Sequence, residues 1–227
     1  MNCPKCGNDK YNRDGFVKGV QRYKCKNCAY KYTVELKSTA KPKSMKKQAL
    51  HLYLEGLGFR SIGRFLGVSN VSVLNWIRSF GEEIASLRTE SEEIEMVELD
   101  EMHSYVGSKK YCWIWIAVDR LGKRFISFVV GDRGNKTAER LWDEIKHHEM
   151  TNIATDYWKP YEHIVPTEKH IESKAATFTV EGHNSLFRHF LARMRRKSKC
   201  YSKKVEMLKL SILLLMHHRN NTLTLPT

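Results

Sequence analysis

The hydrophobic pattern changes period along the chain, and each change marks a segment. Over residues 1–36 apolar positions are few, and two strand-like stretches, Lys10 to Lys18 and Gln21 to Lys24, lie around Gly15 and Gly19. Lys37 to Ser44, with Ser38, Thr39 and Pro42, reads as a linker. From Lys46 the rhythm becomes helical: Leu50, Leu52, Tyr53 and Leu54 precede Gly56 and Gly58, which end the helix. Phe59 to Leu66 is a second short helix, and Gly67-Val68-Ser69 is a tight turn with Ser69 as N-cap of a third helix reaching Phe80. Ile62, Leu66, Val68, Val73 and Ile77 supply one small core. Residues 82–95 are acidic and read as a partly helical connector that includes Leu87.

From Met96 strands follow. Val97 to Asp100 is a short one; Lys110 to Asp119 and Arg124 to Val130 are joined by Leu121-Gly122-Lys123. Asn135 to His147 is helical, with Ala138, Leu141, Trp142 and Ile145 on one face. Asn152 to Asp156 is a strand, another falls near Thr167 to Ile171, a helix runs from Glu181 at least to Arg196, and Val205 to His217 is the final helix. Three antiparallel strands, a helix and another strand open a ribonuclease-H-like sheet, in which the ends of the first and fourth strands are adjacent. The expected class is α/β: a zinc ribbon (1–36), a helix-turn-helix (44–81), the connector (82–95) and a ribonuclease-H-like domain of mixed sheet and helices (96–221).

Cysteine spacing supports the first of these. Cys3-Pro4-Lys5-Cys6 and Cys25-Lys26-Asn27-Cys28 are two C-x-x-C pairs with 18 residues between Cys6 and Cys25. That separation fits a four-thiolate zinc site closing a ribbon too small to have its own core. A redox pair would not need a second knuckle. Cys112, in an apolar strand, reads as a small core residue.

Charge adds a partner. The chain has 39 Lys+Arg against 25 Asp+Glu, unevenly placed: residues 1–50 carry 13 basic and 3 acidic, residues 182–227 carry 10 and 1, and residues 82–101 carry 9 acidic and one Arg. Two basic ends point to a polyanion, and the helix-turn-helix pattern makes it double-stranded DNA. Arg22, Tyr23, Lys24, Lys26, Tyr30, Lys31 and Tyr32 make the ribbon basic and aromatic, which suits phosphate contact or, alternatively, a protein-docking role. On the third helix Asn70, Ser72, Asn75 and Arg78 are the expected outward residues, of types that hydrogen-bond bases or phosphates. An ordinary three-helix packing unit is the plainer alternative. No apolar core region of a secretory signal is visible and the run Leu210 to Met216 is too short to span a bilayer, so the expected location is cytoplasmic, away from membranes.

The candidate chemistry rests on three acids. Asp100 and Asp156 read as strand-end carboxylates, and Glu181 as a helix carboxylate at the head of a basic stretch. Three convergent carboxylates suit a pair of magnesium ions acting on a phosphodiester. Glu181 is followed on one helical face by Asn184, Arg188 and Arg195, which suit phosphate. Glu98 and Glu101 rival Asp100, with Glu98 on the same strand face; Glu168 and Glu172 rival Glu181; Asp119 and Asp132 read as solvated loop acids. His103, His183 and the pair His147-His148 read as surface histidines. Tyr157 and Trp158 suit stacking on a flipped base or core packing.

Together these features resemble a transposase of the insertion-sequence-one (IS1) family. The resemblance is carried by the zinc ribbon, the helix-turn-helix, Asp100 in Leu-Asp-Glu, Asp156 in Thr-Asp-Tyr-Trp, and Glu181 before Asn184-x-x-x-Arg188, in order along nearly the whole chain. It implies a DDE-type enzyme that binds terminal inverted repeats, uses magnesium or manganese at Asp100, Asp156 and Glu181, and joins element ends to target DNA. Holding two ends implies at least a homodimer. The competing expectations are a non-catalytic DNA-binding regulator with a degenerate C-terminal domain, and a structure-specific nuclease.

Overall fold

In a computed structural model, residues 1–34, 40–85, 91–107 and 110–223 are described. The chain divides into two compact units, Met1–Pro42 and Lys43–Thr227.

The first unit is an antiparallel meander of β1 (Tyr11–Val17), β2 (Val20–Cys25) and β3 (Lys31–Thr33). Lys18 and Gly19 link β1 to β2, both with positive φ (50° and 78°), the two-residue turn whose twist matches a hairpin. Among its described residues only Cys3, Cys25 and Tyr32 are buried. That is too little apolar area to hold a fold, so the cysteines must contribute.

The second unit opens with α1 (Lys43–Leu54), α2 (Phe59–Leu66) and α3 (Asn70–Ile84). Gly67, at φ 64°, closes α2, and the Ser69 hydroxyl accepts from the Ser72 amide at 3.0 Å to cap α3. Gly63 lets the turn fold onto α2: a Cβ there would lie 2.8 Å from the Val68 carbonyl oxygen. The expected connector lies partly outside the described residues, at 86–90; its first residues continue α3, and Glu93 already belongs to the next strand.

The sheet follows: β4 (Glu93–Val106), β5 (Lys110–Asp119), β6 (Arg124–Gly131), α4 (Asn135–Ile145), β7 (Glu149–Thr155), α5 (Pro160–Ile164), β8 (His170–Glu172), α6 (Phe178–Phe190) and α7 (Val205–Arg219). Strand order is β6-β5-β4-β7-β8, with β4–β5 and β5–β6 antiparallel and β4–β7 and β7–β8 parallel. From Ile114 to Val118 β5 is apolar on both faces because both are covered. Trp115 and Ala117 join Leu141, Ile145 and Tyr161 of α4 and α5, whereas Ile114, Ile116 and Val118 face Val180 and Phe187 of α6 and Leu208, Ile212 and Leu215 of α7. That second core also takes in Leu50, Leu54, Ile62, Val73 and Ile77 of α1–α3. The helical segment and the sheet of this unit therefore share one core. Among the described residues, no helix is long and apolar enough to cross a membrane.

Two sequence expectations change. The strand expected at Val97–Asp100 is the central strand β4, 14 residues long, so Asp100 lies mid-strand and not at a strand end. The helix expected from Glu181 to Arg196 begins at Phe178 and ends at Phe190. Leu191 turns extended (φ −114°, ψ 109°), and a 3-10 turn at Ala192–Met194 drives Arg193 into the core. The spacing of Phe187, Phe190, Leu191 and Met194 suits a continuing helix equally well, which is why the break is invisible locally.

Candidate functional site

Two clusters stand out. In the first unit, ligand atoms of Cys3, Cys6, Cys25 and Cys28 all lie within 4.8 Å of one another. Sγ of Cys3 is 3.7 Å from that of Cys28, and Sγ of Cys6 is 3.6 Å from that of Cys25. A tetrahedron of sulfurs about 2.3 Å from a zinc ion has edges of roughly 3.8 Å. The spacing therefore fits the ion and is far too long for a disulfide. Gly7 donates to the Cys3 carbonyl and Ala29 to the Cys25 carbonyl, turning each pair into a knuckle; Gly7 and Ala29 have φ of 73° and 55°. The backbone amide of Asn8 leads the pull of Cys6 down to about 6. At Cys28 the Tyr30 amide pulls down, but burial and the other thiols win and push it up to about 12. Thiolates crowded this closely repel one another, and a bound dication relieves that repulsion.

The second cluster forms where α6 crosses β4. The parallel ladder ends where Glu98 pairs with Ala154; Asp156 follows just after the end of β7, and its charge acts on Asp100. Helix α6 is fastened to β4 at two points. The fully buried Glu98 accepts from the Val180 amide (2.8 Å), and Asn184 Nδ2 donates to Asp100 Oδ2 (2.6 Å). Glu181 lies between these anchors, in the first turn of the helix. Burial first, then the charges of Glu101, Asp156 and Glu181, push the Asp100 carboxyl up to about 7. The structure thus places Asp156 and Glu181 within electrostatic reach of Asp100. Among the described residues the four cysteines are the group of three or more ligands gathered closely enough to hold a metal ion; the three acids are not gathered so closely, and Glu181 is exposed.

The rival acids are engaged elsewhere. Glu98 takes Arg120 Nε at 2.5 Å, and the same guanidinium reaches the Ala176 carbonyl, just before α6. Glu101 points to the other sheet face, where it accepts from Arg133 Nε (2.8 Å) and the Tyr161 hydroxyl (2.8 Å). Asp119, expected as a solvated loop acid, is buried: it accepts the amides of Leu121 and Gly122 and pairs with Arg124, closing the β5–β6 turn. Asp132 is exposed as expected but takes the Thr137 hydroxyl (2.6 Å) at the start of α4. Glu168 and Glu172 are exposed, just before and at the end of β8.

The cations divide. Arg188 is half-buried and makes no ion pair among the described residues; burial and Arg196 lower its pKa while Asp100 pulls it up. Arg195 does not continue the face of Glu181, because the helix has ended. Its guanidinium donates to the His189 carbonyl (3.2 Å) and lies against Gly56, where a Cβ would meet Nη2 at 2.5 Å. On α3, Asn70 and Asn75 are exposed, the Ser72 hydroxyl bonds that of Ser69 (2.9 Å), and Arg78 donates to Asn75 Oδ1 (3.4 Å). Sequence reasoning missed Arg120 and Arg133, which hold the rival acids; the only local signal was Arg120 directly after Asp119. It also missed the buried Arg193, which donates to the Tyr53 hydroxyl and to Ser202 Oγ, each at 2.6 Å.

The donor set suits hard divalent cations. It is all oxygen, its carboxylates crowd one another at Asp100, and Asn184 Oδ1 is buried without a hydrogen-bond partner.

A family model described as IS1 transposase matches residues 94–220. The insertion element IS1 protein InsB of Shigella flexneri is 38% identical over 111 residues, covering 48% of this chain and 85% of the relative. The insertion element IS1 2 protein InsB of Escherichia coli (strain K12) is 38% identical over 117 residues, 51% of this chain and 70% of the relative. The matched region contains the five-stranded sheet except Glu93, and all three candidate acids.

Proposed function

This chain belongs to the IS1 transposase family, and from that premise we propose that it cuts and joins DNA strands as a DDE-type enzyme. The observation that supports the reading is the double fastening of α6 to β4 at Glu98 and Asp100, which brings the helix bearing Glu181 against the strand whose Asp100 feels the charges of Asp156 and Glu181. The β6-β5-β4-β7-β8 sheet, three strands antiparallel and the last two parallel to β4, supports a ribonuclease-H-like fold for 96–221. The short capped α3 after the Gly67 turn supports a helix-turn-helix over 44–81.

In this reading Asp100, Asp156 and Glu181 hold two divalent ions, magnesium or manganese. Those ions supply Lewis acidity at the scissile phosphodiester and offset the carboxylate charge. The protein's own part is placement. Glu98 and Arg120 hold the N-terminus of α6. The Trp158 amide donates to Asp156 Oδ1 at 3.0 Å and fixes its rotamer. Asn184 orients Asp100, and Arg188 offers an unpaired guanidinium to a phosphate beside Asp100. Asn70, Asn75 and Arg78 on α3 face element-end DNA, the ribbon, held by zinc on its cysteines, adds phosphate contacts, and two copies hold two ends. Arg195 leaves the phosphate-binding set.

The test is magnesium-dependent nicking of duplex DNA carrying the element's terminal repeat. Wild type nicks, and Asp156→Asn abolishes nicking while end-DNA affinity is unchanged. A wild type that binds ends but never nicks would overturn the enzymatic reading.

A further inference from the structure

On the sheet face that carries Glu101, α4 and α5 cover the strands only part of the way. Glu101 stands opposite Trp115, which is fully buried. The next two pairs, His103 opposite Trp113 and Tyr105 opposite Tyr111, stay on this face by the two-residue period of a strand. None of the four is buried, and Tyr111 is 64% exposed. Their rings form a continuous row. Trp113 is 5.4 Å from His103, His103 5.2 Å from Tyr111, and Tyr111 5.0 Å from Tyr105. Tyr201 extends it, 5.4 Å from Tyr105. At the inner end Arg133 is sandwiched between Trp113 and Trp158, 4.6 and 4.0 Å from the ring centres. Trp158 is the residue whose amide holds Asp156. The row therefore starts at a candidate metal-binding carboxylate and runs outward along the β4–β5 hairpin.

Aromatic pairs across strands stabilise a hairpin, and that alone accounts for the two facing pairs. It does not account for the cations. Arg133, held between Trp113 and Trp158, puts one guanidinium in the row itself, and Lys199 and Lys203, both exposed, flank Tyr201 at its outer end. Lys199 and Lys203 make no ion pair among the described residues, and Glu101 at the inner end is already taken by Arg133. Flat rings beside unpaired cations suit a ligand that combines flat faces with negative charge. A duplex hides its base faces in the stack, whereas an unpaired strand presents them.

We infer that this row binds single-stranded DNA: unpaired bases stack on Tyr111, Tyr105 and His103, and Lys199 and Lys203 beside Tyr201 hold the phosphates. The surface deepens the strand-cutting reading and rests on it, because it receives a strand separated from its complement at the cut site.

The test compares full-length, zinc-loaded protein on a blunt duplex, on the same duplex with a 3′ oligothymidine extension, and on one whose extension is abasic. Wild type prefers the base-bearing extension over both others. Tyr111→Ala cuts that preference about tenfold, the scale of one lost base stack, while blunt-duplex affinity holds. Tyr111→Phe, which keeps the ring, retains the preference. Equal affinity for abasic and base-bearing extensions overturns the inference, since the row would then read only backbone charge. A Tyr111→Ala protein with altered oligomeric state and an unchanged extension preference also overturns it, making the face an interface between copies. Asp156→Asn separates the two readings: it removes nicking and leaves the extension preference intact. If wild type never nicks yet keeps the preference, the catalytic reading fails and this surface stands.

Discussion

Asp100→Asn should make the protein more stable at alkaline pH while destroying its proposed chemistry. Burial and three neighbouring carboxylates raise the folded-state pKa of Asp100 from its ordinary 3.8 to about 7. Between those values the folded chain binds a proton that the unfolded chain has lost, so stability falls as pH rises, and the full cost is present above about 7. The shift corresponds to a total of about 4 kcal/mol, of which roughly 2–3 kcal/mol develops between about pH 5 and about pH 8.5. For a unit of this size that is a difference of roughly 5–10 °C in melting temperature. The measurement is thermal unfolding of wild type and Asp100→Asn across that pH range, with zinc retained and no added magnesium. The wild-type melting temperature should fall toward alkaline pH relative to the variant, and the gap should close when magnesium is added to wild type. Curves that stay parallel at every pH would refute the reasoning, because Asp100 would then not be crowded by buried negative charge.

Other outcomes follow from the same geometry. Glu98→Ala leaves Arg120 and the Val180 amide without their acceptor, costing roughly 3 kcal/mol of stability by denaturant titration. It should also lower the nicking rate more than end-DNA affinity, since the helix bearing Glu181 loses its anchor. Cys25→Ser should abolish stoichiometric zinc binding and leave the amides of 1–34 unprotected in hydrogen exchange, with the melting of Lys43–Thr227 unchanged. Gly63→Ala places a methyl 2.8 Å from the Val68 carbonyl oxygen. It should cost roughly 1–3 kcal/mol by denaturant titration and weaken end-DNA binding in a mobility-shift titration.

Local chemistry made much of this protein legible in its sequence. The cysteine knuckles, the Ser69 cap and the run Lys110 to Asp119 each depend on residues a few positions apart, and the structure shows sulfurs, cap and strand where those patterns place them. Asp100 and Asp156 could be named because they continue apolar strand runs. What separates Asp100 from Glu98 is not local, since both lie on one face of β4, two residues apart. Only the arrival of Arg120 from the end of β5 and of the Val180 amide from α6 turns Glu98 into an anchor and leaves Asp100 crowded by acids. The end of α6 at Phe190 was likewise decided at long range, by the burial of Arg193 against Tyr53 of α1. The aromatic row needs the β4–β5 register before its four rings share a face. Spacing and period set which elements form, because they act within a turn or a strand. Charge pairing and helix termination depend on partners brought together only by the packed sheet, and those decided which carboxylates remain available for chemistry.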